Sequence, residues 1–377
     1  MTTKKKVTIF AQAPTRIDLA GGTVDLWPIY LFLRDPITIN LGISLYAEAT
    51  LEITPASPST AGVQLKSKDQ GKELKLTWDE VMGDYSPPPA LELHYKLLKY
   101  FLERRLKAGL EDLDFNLDLT TFARSPAGAG LGGSSTLSIA LVGALATWAN
   151  SQGSYPPFDP ETHGEDFIEI VRDVETTVIQ VPAGLQDYYG AMYGSLQALR
   201  WGPGTHERKK LSDDIMSELE DRLLLFYSGQ SRNSGINNWV LFKNFIDRVG
   251  STRFQFQGIS GATQKLERAL LDRNWIQVGE AIAEEWSIRK TLASGITTPE
   301  IDRAFEATRS LCPSVAGKVC GAGGGGCFFI YLPIADPKER SELKKQIQQI
   351  FSTQGIQPLP FEAARKGLQI QVTRAGD

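Results

Sequence analysis

Apolar and polar positions change period along the chain, and each change predicts an element. Val7 to Gln12 has the β-branched character of a first strand, and a segment rich in Pro, Gly and Asp follows it. Ile37 to Ile53 is long and roughly alternating, which predicts one or two strands, whereas Ser57 to Gly71 is polar and turn-like. Leu91 to Leu106 places Leu93, Leu97, Leu98, Phe101 and Leu102 at helical spacing. It ends on Arg104 and Arg105, the charge that suits a helix C-terminus. Phe115 to Leu119 alternates as a half-buried strand does, and Leu137 to Trp148 reads as a buried helix. A loop is predicted at Ser151 to Pro160, a helix from Phe167 to Val181 stopped by Pro182, and a strand at Ser195 to Leu199.

Trp201 to Lys210 is polar, with two glycines and a proline, and the pattern differs beyond it. Leu223 to Tyr227 is a strand, and helical spacing dominates from Asn238 to Leu311. The glycine cluster Gly321 to Gly326 separates two apolar stretches. Leu343 to Phe351 is helical and Gly367 to Val372 forms a last strand. A chain of 377 residues fits two domains of ordinary size. The break predicts an N-terminal domain over 1–205 and a C-terminal one over 206–377. Strands and helices mix without strict alternation, which favours an α+β fold over a doubly wound parallel sheet.

Composition narrows the function classes. Hydrophobic residues make up 42% and charged residues 22%, the balance of a globular protein. A formal net charge of -4 gives no field for nucleic acid or for an anionic membrane, so local groups must hold any anionic ligand. The 3 cysteines (Cys312, Cys320, Cys327) form no C-x-x-C and no even set, so a reducing compartment is expected and no disulfide framework. The histidines lie far from them, which argues against zinc. Lys4 to Lys6 precede an apolar run of about four residues, shorter than a secretory signal requires, and Leu137 to Ala149 is too short to span a bilayer. A cytoplasmic protein with a small-molecule partner is expected, without nucleic acid or membrane, as monomer or homodimer.

The most informative stretch runs from Ser125 to Ser135: Pro126, Ala127, Gly128, Ala129, Gly130, Leu131, Gly132, Gly133, Ser134. Glycines allow a ligand to approach the backbone closely. Successive N–H groups and the positive end of the following helix then favour an anion, and the hydroxyls of Ser134 and Ser135 suit a magnesium ion or a helix cap. The pattern describes a phosphate site. Gly128, Gly130 and Gly133 satisfy G-x-G-x-x-G, but Gly321, Gly323 and Gly326 do too, and the second strand with a terminal acid that a dinucleotide fold needs is absent. Ser134 stands where a P-loop needs lysine.

This loop resembles the P-x-G-x-G-L-G-S-S phosphate loop of the GHMP kinases. Ala13 to Asp25 (Ala-Pro-Thr-Arg-Ile-Asp-Leu-Ala-Gly-Gly-Thr-Val-Asp) resembles their N-terminal substrate motif, and Lys318 to Cys327 their third, glycine-rich motif. The three stand in order across nearly the whole chain. The N-terminal motif is most similar to that of heptose-phosphate kinases and fucokinase-type sugar kinases. Galactokinases have Glu-His where this chain has Gly22 and Thr23.

The resemblance implies a two-domain α+β fold: an N-terminal domain like ribosomal protein S5 domain 2 and a ferredoxin-like C-terminal domain, with ATP and acceptor meeting between them. It implies ATP bound by Pro126 to Ser135 and Mg2+ held by Ser134 and Glu175. It implies Asp187, in Pro182 to Tyr189, as catalytic base, with Arg16 stabilising charge and keeping Asp187 ionised. Acceptor contacts fall on Asp25, Gly22, Thr23, Gly323, Gly324 and, for a substrate phosphate, Arg232. The expected reaction phosphorylates a hydroxyl, taken to be anomeric, of a sugar or a sugar phosphate such as a heptose 7-phosphate. A mevalonate-pathway kinase of this fold, a non-catalytic ligand sensor and a nicotinamide dehydrogenase are the alternatives.

Overall fold

The computed structural model describes residues 6–151, 158–229 and 234–375. The strands are β1 (Val7–Ala20), β2 (Ile37–Pro55), β3 (Gly62–Ser67), β4 (Lys72–Leu76), β5 (Phe115–Ala123) and β6 (Leu196–Trp201). They continue with β7 (His206–Lys210), β8 (Leu223–Tyr227), β9 (Ala316–Val319), β10 (Cys327–Tyr331), β11 (Gln357–Pro358) and β12 (Gln369–Arg374). The helices are α1 (Trp78–Met82), α2 (Glu92–Lys107), α3 (Gly133–Ala149), α4 (Pro160–Ile179), α5 (Gln186–Tyr193) and α6 (Asp213–Glu220). Then come α7 (Ser234–Ile246), α8 (Thr252–Leu271), α9 (Trp275–Arg289), α10 (Pro299–Leu311) and α11 (Pro337–Thr353). Among the described residues, no helix is long and apolar enough to cross a membrane.

The first sheet has the order β12-β1-β2-β5-β3-β4. The long β2 serves two neighbours on one side: Ile37 to Leu41 pairs with β6, and Ala47 to Pro55 pairs with β5. Helix α3 packs on β1 and β2. Its sequence is apolar on every side because it is covered all round, by these strands and by α2, α4 and α5. The second sheet, β11-β8-β10-β9, is antiparallel throughout. Helices α8 and α9 pack on each other and lie between the sheets, α8 against β1 and β2, α9 against β9 and β1.

Several elements differ from the sequence expectation. The first strand does not stop at Gln12 but runs to Ala20, with a register shift at Pro14. Pro14 lacks an N–H, and β12 pairs with β1 only as far as Gln12, so no ladder bond is lost there. The polar stretch from Ser57 to Gly71 contains β3, whose Val63 and Leu65 alternate into the core. His206 to Lys210 reads as loop by composition yet becomes β7, because it completes the edge of β6. Both β7 and β12 lie past the expected boundary at residue 205, and both belong to the first sheet.

A buried ionic cluster joins the sheets. Glu285 Oε1 accepts from Lys318 Nζ at 3.0 Å, from Arg289 Nε at 2.8 Å and Nη2 at 2.6 Å, and from Gly21 N at 3.3 Å. Lys318 also reaches Asp18 Oδ2 at 3.3 Å. Burial pushes the Asp18 carboxyl up, but Lys318, Arg289 and Arg16 outweigh it and hold the group below its ordinary range. Two carboxylates thus balance two cations across β1, α9 and β9. Removing one member of a buried set strands the others. Lys318→Met is expected to cost about 3–5 kcal/mol of stability, read from urea unfolding.

Candidate active site

The turn between β5 and α3 carries Gly128, Gly130 and Gly132 at φ +67°, +76° and +73°. The chain then enters α3 at Gly133, so Ser134 and Ser135 lie in the first helical turn, where backbone N–H groups lack partners within the helix. Two of these glycines are required by close approach as well as by φ. A Cβ on Gly130 would lie 2.5 Å from the Cys320 carbonyl oxygen, and one on Gly132 would lie 3.0 Å from Asp187 Cγ.

The third glycine motif is the buttress of this loop. Cys327 N donates to Ala129 O at 2.7 Å, and side chains on Gly321 or Gly326 would strike the backbone at Gly130 or Ala129. Gly323 and Gly324, expected at the acceptor, are turned toward Ile296: Gly324 N donates to its carbonyl at 2.8 Å, and a side chain on Gly323 would strike the same oxygen.

Asp187 sits in the first turn of α5, opposite the loop. Asn40 Nδ2 donates to Gln186 O at 3.0 Å and fixes that end of the helix. Arg16, near the middle of β1, reaches Asp187 Oδ1 with Nε at 2.8 Å and Nη2 at 2.5 Å, while its Nη1 donates to Gly130 O at 2.7 Å. Every arm of the guanidinium is used. Burial lowers the Arg16 pKa, yet Asp187 and Asp18 outweigh that and raise it. Burial dominates at Asp187 and raises its carboxyl, with Arg16 pulling it back down. The side chain of Asp187 keeps 24% of its exposure, so one face meets solvent or ligand.

Glu175 on α4 comes to the same helix N-terminus. Its Oε2 accepts from Tyr188 Oη at 2.7 Å and from Ser138 Oγ at 3.5 Å. Burial raises its pKa, while hydrogen bonds from Ser134, Tyr188 and Ser135 lower it. The expected metal pair, Ser134 and Glu175, is therefore adjacent. Among the described residues, no group of three or more His, Cys, Asp or Glu side chains is placed to hold an ion. One carboxylate and a hydroxyl fit Mg2+, which takes its other ligands from phosphate and water.

Asp25 is buried, and its Oδ2 accepts from Gln186 N at 2.9 Å. Burial pushes its carboxyl up to about 7, against the Gln186 N–H that pulls it down. A side chain on Gly184 would collide with this carboxylate, and one on Gly22 with Asp18 and Gln186. Thr23 is held at φ +69°, a strained position for a β-branched residue. Arg289 clamps it, donating to Gly22 O at 2.6 Å and Thr23 Oγ1 at 3.3 Å. Arg232 and most of the loop predicted at Ser151 to Pro160 lie outside the described residues.

The sequence reading did not single out Asp18, Glu285, Arg289, Lys318, Ser138 or Tyr188. One signal was available: Lys318 stands in a four-residue strand that is buried throughout, where a lysine needs a partner.

Comparison with known proteins bears on this geometry. Residues 92–195 match the GHMP kinases N terminal domain and residues 266–353 match the GHMP kinases C terminal family. An L-fucokinase/L-fucose-1-P guanylyltransferase of Bacteroides fragilis is 24% identical over 96% of this chain, which spans 38% of that protein. A D-glycero-alpha-D-manno-heptose 7-phosphate kinase of Campylobacter jejuni is 23% identical over 90% of this chain and 93% of its own length. The structure of Lactococcus lactis galactokinase superposes with a TM-score of 0.70 at 16% identity, covering 97% of this chain and 95% of that one. With both family domains in order, the chain belongs to the GHMP kinases, phosphotransferases with an alcohol group as acceptor.

Proposed function

We propose that the protein transfers the γ-phosphoryl group of ATP to a sugar hydroxyl, with Asp187 taking the hydroxyl proton. The carrying observation is the Arg16 tie, which fixes the Asp187 carboxylate against the loop at Gly130. Phosphoryl transfer is mostly positioning and charge neutralisation, so a base locked to the phosphate cradle is the feature that matters. The N–H groups of Gly128 to Ser135 would hold the phosphates. Ser134 and Glu175 would hold Mg2+, which when bound neutralises charge on the phosphates. Arg16 acts by orienting Asp187 and keeping it ionised, with three of its five N–H donors on Asp187 and Gly130.

The acceptor is read as a sugar because Asp25 offers a buried carboxylate, a group that accepts hydrogen bonds from neighbouring hydroxyls. The hydroxyl is taken to be anomeric, in keeping with the L-fucose-1-P in the fucokinase relative's name. The heptose 7-phosphate of the Campylobacter relative supports a sugar phosphate as the other option. The test is ADP release with MgATP and a panel of sugars, heptose phosphates and mevalonate. Turnover with mevalonate alone would replace the sugar reading, and ATP binding without any turnover would favour a sensor.

Two outcomes are expected with the active acceptor. Asp187→Asn should lower kcat by about 10²–10⁴-fold with little change in the KM for ATP. Asp25 must be ionised to accept two hydroxyl hydrogen bonds, and its carboxyl titrates at about 7. The KM for the sugar should therefore fall as pH rises through that value, and Asp25→Asn should raise KM and flatten the profile.

A further inference from the structure

A cavity of about 950 Å³ opens beside the candidate site. One wall is α4, through Glu165, Glu169 and Arg172; another is the segment Pro182 to Leu185. Trp27, Tyr30, His206 and Phe242 close it. The cavity is next to Asp25 by three routes. Ala183 and Leu185 flank Gly184, which packs on the Asp25 carboxylate. Trp27 is two residues from Asp25. Tyr30 lies within electrostatic reach of Asp25, Arg172 and Glu169 together. Asp187 and the phosphate loop do not line this space. It offers room for the part of an acceptor that lies away from the reacting hydroxyl.

The lining has two characters. Trp27, Tyr30, Tyr189 and Phe242 present aromatic surface of the kind that packs on the C–H face of a pyranose. Glu165, Asp166, Glu169 and Asp173 supply acceptor oxygens for hydroxyl donors. Among the described lining residues Arg172 is the one guanidinium, and it spends Nε and Nη2 on Asp173 Oδ1 at 2.9 and 2.7 Å. Burial holds His206 below the ordinary histidine range, which disfavours its charged form. Among the described lining residues, four carboxylates less one guanidinium leave three negative charges. A phosphate monoester, itself near -2, meets repulsion there, whereas a polyol meets hydrogen-bond acceptors.

We propose that this cavity is a distal acceptor subsite that takes a neutral, hydroxyl-rich sugar moiety and disfavours an acceptor already phosphorylated at its far end. The proposal rests on the sugar-kinase reading and narrows it to unphosphorylated acceptors.

The test measures ADP release with matched pairs, each a neutral sugar and its terminal phosphate: mannose with mannose 6-phosphate, and heptose with heptose 7-phosphate. Wild type, Glu169→Gln and Glu169→Lys are compared. The neutral member should lead in kcat/KM by about tenfold, the effect of one like charge a few ångströms away through water. Glu169→Gln should raise KM for the neutral sugar several-fold with kcat kept, and Glu169→Lys should narrow the gap within each pair. The ratio within a pair is independent of the folded fraction, so a poorly folding variant still reports. A wild-type preference for the phosphorylated member overturns the proposal and leaves the sugar-kinase reading standing, as do Glu169 variants that move neither KM nor the ratio. No ADP release with any acceptor, despite MgATP binding, overturns both.

Discussion

The Arg16 guanidinium is the contact on which the site's geometry depends. It lies on β1, a strand paired on both flanks over its first half, and it donates to the Asp187 carboxylate and the Gly130 carbonyl. The glycine loop before α3, the first turn of α5 and the first sheet are thereby fixed to one another. A planar fork with fixed donor directions can do this, and a lysine ammonium cannot. The cost of burying Arg16 is offset because the paired carboxylate is only partly exposed and lies within contact distance.

Behind that tie stands the ionic cluster of Asp18, Glu285, Arg289 and Lys318. It connects residues far apart in the chain, and it holds the Gly22 and Thr23 turn in a strained conformation. The turn leads directly to Asp25. The turn after β1 is thus tied to α9 through Arg289, and Lys318 on β9 leads into the glycine run that packs on Ala129 and Gly130. Strain at Thr23 persists because Arg289 and the close packing at Gly22 over-determine it.

Much of this was legible in the sequence, for identifiable reasons. The glycine loop, the N-terminal motif and the third motif are contiguous runs, so each is visible within about a dozen residues. Helix α3 was visible because a segment apolar on every side has to be buried. The fold was less legible at its edges. Strands β3 and β7 have polar sequences and exist because a neighbouring strand offers them a ladder, and β12 pairs with a strand at the opposite end of the chain. The ionic cluster could not be read from spacing, since Asp18 and Lys318 are separated by 300 positions. Glycine signals close approach but does not say to what, and the backbone partner of Gly323 and Gly324, Ile296, was not legible.

The most direct measurement is a crystal structure of the protein with Mg2+ and a non-hydrolysable ATP analogue. The predicted result is a triphosphate lying along the N–H groups of Gly128 to Ser135, with the metal between Ser134 and Glu175 and the γ-phosphate facing Asp187. A nucleotide bound away from this loop, or a metal held without Glu175, would contradict the assignment of this site to phosphoryl transfer.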